Sequence, residues 1–328
     1  VITCLSVFPG FPVRRIHQDD HVNELRTELI DFGGMMEIFG VFIPTSVLVC
    51  GSLALLYVFG PPLLILLTFR QQALPNIVQL PPDTPFPEEV REYLFDCHEE
   101  LESLGFSNVG TFSLPDQTPN VKSVLALFVN RERKTSAMAA LMYLKVLADW
   151  KLSTKYVEFS TRFTSGGLLD TMNSAQVGAF PEPPDCIKTQ HPEITDIRML
   201  HAAHQLLGDT HFSGCERILN LYDKFHGDAQ ALIAVGLTEE FEAARAAGYL
   251  SLVGGDQTEF GVAMADDNPY RVGIVFTPPC YRATIKGAYL MTWKELWPFK
   301  PIVYRLKYRR DRQRLREAGF EPLNDRSM

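Results

Sequence analysis

The chain has 328 residues, of which 46% are apolar and 21% charged. That is enough apolar side chain for one or two packed cores, and it excludes a disordered or collagen-like chain. The formal charge of −8 is unevenly spread. Residues 71–293 carry 17 Lys and Arg against 28 Asp and Glu, whereas residues 294–316 carry nine basic residues against Glu295 and Asp311. An acidic body that ends in a basic segment points to an anionic surface as a partner.

Residues 1–34 are polar, mixed in charge and without clear periodicity, which predicts a flexible extension or an effect of start-site choice, with the native start at Met35 or Met36. Residues 35–70 then read as a membrane anchor. Ile38 to Phe69 is a run of 32 residues without a charge, longer than the eighteen or so that mark a spanning helix. Fully helical it would reach about 48 Å against a hydrocarbon core of ~30 Å, and two full spans would need roughly forty residues, so one span is expected. Pro44 and Gly60-Pro61-Pro62 suggest the limits Val41 to Gly60, with Pro44 in the first turn; the alternative is one tilted or kinked helix that continues through the prolines to Arg70. Leu48-Val49-Cys50 matches a lipoprotein box poorly, because Val49 is bulky and the apolar run continues past Cys50.

Four prolines between residues 71 and 86 predict an extended linker. Beyond it the fold class is α+β. Over residues 84–180 the pattern gives a helix, Pro87–Leu104, with apolar residues at Val90, Leu94, Cys97, Leu101 and Leu104, Glu88 and Glu89 in the first turn, and Gly105 as the stop. Strands follow at Val109–Leu114, Val121–Val129, Thr135–Val146 (with a helix as the alternative) and Tyr156–Phe163, then a Thr164–Gly167 turn into Leu168–Met172, forming an antiparallel meander. In Tyr156–Phe163 the residues Val157, Phe159, Thr161 and Phe163 share one side.

Prolines mark 181–192 as a second linker, and residues 193–298 read as mostly helical with a β-hairpin. Pro192 opens a helix over Glu193–Leu207; Ser213 and Glu216 make a capping box for Gly214–Phe225; Thr238 caps Glu239–Ala247. Tyr249–Val253 and Thr258–Met264 form the hairpin, with further strands near Arg271–Phe276 and Tyr281–Ile285. This order of three helices, a hairpin and Tyr281-Arg282-Ala283-Thr284-Ile285-Lys286-Gly287 loosely resembles winged-helix proteins. The resemblance implies that Glu239–Ala247 is the recognition helix. It carries Arg245 against three glutamates, the wrong balance for phosphates, so a protein partner is expected and nucleic acid is not.

Five of the eight histidines lie within residues 191–226. His201 and His204 are three apart on a helix, and His211 and Cys215 are close enough in sequence to complete a tetrahedral zinc site, although the spacing fits no established zinc pattern. His201 and His204 also fall at the rim of the stripe Leu200, Ala203 and Leu207, where a histidine packs and hydrogen-bonds. Glu239, Glu240 and Glu242 complement a helix start, and Asp266-Asp267-Asn268-Pro269 makes a turn. No phosphate-binding loop, nucleophile elbow or C-x-x-C is present.

The basic C-terminal segment 299–328 continues an aromatic and cationic pattern that begins just before it. Trp293 and Trp297 with Lys300, Arg305, Lys307, Arg309 and Arg310 suit a headgroup layer, whereas the alternative packs Ile302, Leu306 and Leu315 on the body. The expectation is a single-pass cell-membrane protein, anchored in the bilayer through residues 41–60. Its body is cytoplasmic and acts as a non-catalytic interaction or regulatory module, with the C-terminal segment on anionic lipid headgroups and no cofactor expected. A metal-dependent enzyme using His201, His204, His211 and Cys215, with zinc as its metal, is the alternative.

Overall fold

The computed structural model of the protein describes residues 35–38, 41–118, 120–146, 149–254 and 279–320. The expected extension 1–34, the strands near 258–264 and 271–276 and the turn at Asp266–Pro269 lie outside the described residues. A short antiparallel pair, β1 (Met35–Ile38) and β2 (Val41–Pro44), leads into helix α1 (Thr45–Thr68). The limits Val41 to Gly60 are therefore corrected. Pro44 is the N-cap, and the helix runs through Pro61 and Pro62 to Thr68. Its 24 residues extend about 36 Å. Each proline removes one N–H from the helical ladder, and the two sit where the helix meets the body, with Pro62 and Ile65 buried.

Residues 71–86, expected as a linker, instead begin pairing at once. β3 (Arg70–Gln72) and β4 (Val78–Leu80) each join a sheet. Helix α2 (Glu88–Ser103) follows as its periodicity predicts, burying Val90, Cys97 and Leu101. Gly105 ends it at φ 81°, a left-handed conformation that glycine adopts without strain. The meander is β5 (Ser107–Thr118), β6 (Val121–Asn130), β7 (Thr135–Val146), β8 (Asp149–Phe163) and β9 (Leu168–Met172), each antiparallel to the next. The ambiguous Thr135–Val146 segment is a strand.

The segment 181–192, expected as a linker, carries β10 (Cys186–Gln190), which pairs with β9 in parallel at the edge of the sheet. Helix α3 (Ile197–His211) starts four residues after the expected Glu193, because Asp196 caps it by accepting from the N–H groups of Arg198 and Met199. The Ser213/Glu216 capping box does not form. Glu216 pairs instead with Lys134 at 2.6 Å, and the chain continues as β11 (Arg217–Ile218), paired to β8, and the one-turn α4 (Asn220–Asp223). Thr238 caps nothing: it lies inside α5 (Ala229–Ala246), its hydroxyl donating to the Ala234 carbonyl at 2.9 Å. β12 (Leu250–Val253) and β13 (Cys280–Ala283) form a three-stranded sheet with β3, and helices α6 (Ile285–Glu295) and α7 (Phe299–Glu317) complete the described chain.

Strand alternation divides the main sheet between two cores. Ala126 and Phe128 of β6, Ala137 and Ala139 of β7, and Val157, Phe159 and Phe163 of β8 pack against α2 and α3. Their neighbours Leu125, Leu127, Val129, Met138 and Met142 face Ile65 and Phe69 at the end of α1, together with α5 and α6. The end of α1 is thus part of the body's core. Burying Ile65 and Phe69, 2% and 5% exposed, is worth about 2 kcal/mol each. Helix α6 reaches that core only through a close approach at Gly287, where an added Cβ would lie 2.0 Å from the Tyr249 carbonyl oxygen. Gly287→Ala should therefore cost about 2 kcal/mol or more, read as a lowered Tm of the full chain in detergent. An unchanged Tm would contradict the contact.

Candidate functional site

The structure does not assemble the expected zinc ligands. His201 and His204 lie inside the body, 6% and 1% exposed, not at the rim of the apolar stripe. Both ring nitrogens of His204 are engaged, Nε2 with the Thr161 hydroxyl at 2.8 Å and Nδ1 with that of Thr171 at 3.0 Å. Thr135 extends this chain to Thr161 at 3.0 Å, and Thr189 donates to Thr171 at 3.3 Å. His201 packs edge-on against Phe106 and bonds the Gln205 amide at 3.1 Å. Among the described residues no group of three or more His, Cys, Asp or Glu side chains is arranged to hold a metal ion; His211 and Cys215 do not join the other two. His204 is part of a buried polar chain that ties α3 to the four strands β7 to β10, whereas His201 bonds only within α3. Burial pushes His204 down to about 3; burial, with the charges of Arg133 and Arg217, pushes His201 down to about 4.

A cavity of about 840 Å³ opens on the other side of the sheet, between β8 to β10, the loop 177–185, α5, α6 and α7. Its polar wall draws on β8, β10, α5, α6 and α7, and begins at the face of β8 opposite Val157 and Phe159. There the sequence pattern puts Glu158 and Arg162, which alternation alone would leave in solvent, but α5 covers them. Glu158 is buried, and burial together with the neighbouring Asp170 charge raises its carboxyl above the usual range. Arg162 pairs with Glu239 of α5. Lys188 of β10, 8% exposed, lies 3.6 Å from Glu240 and 4.0 Å from Asp170. Burial alone would lower its ammonium; Glu240 and Asp170 reverse this and hold it above the ordinary lysine value. Cys186 also lines the cavity, its thiol pushed up to about 12 by burial and the Asp170 charge. Sequence reasoning named Glu239 and Glu240 only as complements to a helix start and missed the rest of these groups. The available signal was Lys188, a lysine at an inward position in a short β-branched run.

The remaining wall is α7, whose basic run faces two ways. Lys307 turns inward, 10% exposed, to Glu182 at 2.9 Å, Asp311 at 2.6 Å and the Lys188 carbonyl at 2.5 Å. Arg314 and the half-exposed Arg310 also line the cavity, while Arg305 and Arg309 are exposed and do not. Asp311 is fully buried and accepts from the Gln190 backbone N–H at 3.0 Å, so α7 is docked on the body; residues 321–328 of the expected tail lie outside the described residues. Of the pair expected to pack with Leu315, Ile302 and Leu306 are 54% and 60% exposed; only Leu315 is buried. Trp293 and Trp297 are 41% and 74% exposed, Lys300 pairs with Glu295 at 2.7 Å, and the Tyr57 hydroxyl of α1 donates to the Trp297 carbonyl. On α6, Lys294 donates to the carbonyls of Gly178 and Ala179 at 2.6 and 3.0 Å, and burial lowers its ammonium to about 8.

The His204 chain has a measurable pH signature. Its folded value, about 3, lies below the ~6.5 of a free histidine, so the unfolded chain binds the proton more readily. His204 therefore leaves stability untouched above about pH 6.5 and erodes it as the pH falls from there toward 3, by about 2 kcal/mol at pH 5. Denaturant titrations across this window should show the loss, and His204→Gln, although less stable at neutral pH, should show a shallower decline. An equal slope in the variant would contradict the assignment. Comparison with protein-family models, curated proteins and solved structures gives no match to this chain.

Proposed function

We propose that the protein is a single-pass membrane protein whose body is a non-catalytic binding module seated against the bilayer on the cytoplasmic side. Helix α1 is long and apolar enough to cross a membrane, and its most apolar window is 11% buried. The observation that carries the reading is the level at which the body meets α1. Spanning ~30 Å takes about twenty residues, and from Thr45 that reaches the stretch beyond Pro62, yet contact with the body begins at Tyr57 and Phe59, against Trp297 and Tyr289. The corner between α6 and α7 therefore shares the depth of the helix's second half. Its surface suits that depth: Trp293 stacks on Phe299 at 5.2 Å, and Trp297, Ile302 and Ile285 are exposed. Aromatic side chains of this kind favour the interface between hydrocarbon and headgroups.

Support for a cytoplasmic body comes from Arg70 after α1 and from Arg305 and Arg309, exposed on α7 beside the apolar corner, since basic residues concentrate on that side of a span. Anionic headgroups attract each such cation by ~1 kcal/mol. Support for binding over catalysis comes from the cavity: its thiol is held protonated, and Lys188, Arg162 and Lys307 are each matched by carboxylates. Two measurements on the full chain test the reading. Alkaline carbonate should leave it in the membrane pellet. In nanodiscs made with chain-brominated lipid, a variant keeping only Trp297 (Trp150→Phe and Trp293→Phe) should be strongly quenched, and one keeping only Trp150 should not. Equal quenching of the two, or release by carbonate, would overturn it.

A further inference from the structure

We propose that the cavity bounded by α5, α6 and α7 binds an anionic amphiphile, a lipid with a phosphate-monoester head, whose head lies among Lys294, Lys307, Arg310 and Arg314 and whose chain leaves past Leu306 toward the bilayer. The inference rests on the membrane reading above and names what the cavity holds.

Charge comes first. Around Glu182 the wall carries four cations: Lys307 at 2.9 Å, Arg310 at 3.2 Å and Arg314 at 3.9 Å from its carboxylate, with Lys294 close enough to feel its charge. Asp311 is the second carboxylate in contact with the three α7 cations, at 2.6, 3.7 and 3.9 Å. Glu295, the first carboxylate to act on Lys294, is itself paired with Lys300 at 2.7 Å, so the four cations meet Glu182 and Asp311 with positive charge to spare, in a recess that screens Lys294, Lys307 and Arg314 less than open water does, while Arg310 stands half exposed at its mouth. A phosphate monoester carries close to two negative charges at neutral pH, together with several acceptor oxygens. Lys294 is the most incomplete of the four, since its two hydrogen bonds go to neutral carbonyls and an ammonium has three donors. The low ammonium value that burial gives Lys294 agrees with a charge that lacks an anionic partner in contact.

Shape comes second. Helical periodicity gives α7 two adjacent stripes. Val303, Lys307, Arg310 and Arg314, spaced by four, three and four residues, line the cavity. Phe299, Ile302 and Leu306 form the neighbouring stripe and are 40%, 54% and 60% exposed. Leu306 belongs to both, because it also lines the cavity. An apolar track therefore runs from the Trp293/Phe299 stack, beside α1, to the cavity mouth. Inside, Met172, Val177 and Phe180 add apolar wall. Cations within, an apolar track without, and a helix able to cross a membrane at its far end together describe a site for a molecule with one charged end and one apolar end.

The test uses the full chain in neutral-detergent micelles and reads the acylation rate of each lysine by mass spectrometry at pH values around 8. Three probes are compared: lysophosphatidate, lysophosphatidylcholine with the same chain, and inorganic phosphate. Lysophosphatidate should protect Lys294 and raise its titration midpoint above about 8, whereas the other two should leave it unchanged. Arg314→Gln should weaken the protection about tenfold, as expected for one lost charge-assisted contact; the wild-type arms do not depend on that variant folding. Absence of protection by lysophosphatidate overturns the proposal. So does equal protection by lysophosphatidylcholine, which would mean chain burial without recognition of the head, or by inorganic phosphate, which would mean a site for a soluble phosphate. Because micelles contain no bilayer, a chain that binds lysophosphatidate yet is released by carbonate sinks the membrane reading alone, and an anchored chain that fails to bind sinks this one alone.

Discussion

Helix α1 has to satisfy two surroundings along one length, and the rest of the body is arranged around that constraint. Its first half offers Val47, Val49, Leu53 and Leu56 with no protein cover, whereas its end gives Ile65 and then Phe69 to the core beneath β6 and β7. Pro61 and Pro62 sit at the change of surroundings. The carbonyls their missing N–H groups would have served belong to the turn carrying Tyr57, whose side chain is engaged with Trp297. No flexible segment separates helix from body: β3 follows within two residues and pairs with β13, which leads into α6, the helix that packs against α1. Anchor and body are joined by a continuous sheet and core, so on the proposed reading the depth of α1 also sets the depth of the α6–α7 corner.

Much of this architecture was legible because local signals and tertiary packing agree. The alternation of Val157, Phe159 and Phe163, the spacing of Val90, Cys97 and Leu101, and the stop at Gly105 each reflect one element and one core. Where the reading went wrong, a distant partner overrode a local preference. Ser213 and Glu216 have the spacing of a capping box, but Glu216 is held by Lys134, 82 residues away. Thr238 has the look of an N-cap, yet its hydroxyl bonds the preceding turn of a longer helix. The prolines at 181, 183 and 184 are real breakers, and they end just before β10, whose parallel pairing with β9 no local pattern announces.

The candidate site was less legible than the fold, for a physical reason. The sequence drew attention to histidines, the residue type most often recruited for chemistry, but the structure uses His204 as a neutral, doubly hydrogen-bonded core group between α3 and the sheet. The cavity is built from common charged residues on β8, β10, α5, α6 and α7, which come together only once the sheet has formed. Lys188 and Glu240 are 52 residues apart, and Lys294 meets the Gly178 carbonyl across 116. A pattern distributed over that distance leaves no motif.

The basic C-terminal segment shows why counting charges is weaker than knowing which way they point. Nine cations in a short stretch suggest one anionic surface, but a helix distributes them around its axis, and buried Asp311 fixes which face turns inward by accepting the Gln190 backbone N–H and the Lys307 ammonium. Lys307 and Arg314 are thereby committed to the cavity and Arg310, half exposed, to its mouth, leaving Arg305 and Arg309 outside. One sequence feature thus supplies two electrostatic environments. Outside, screening by salt and water leaves each cation worth little individually. Inside, the same charges act through less solvent on a volume they surround, so the excess over Glu182 and Asp311 carries more weight per residue than the exposed pair does. The basic run therefore has its strongest consequence in the recess it encloses, and on the proposed reading the bilayer is the nearer source of what would fill it.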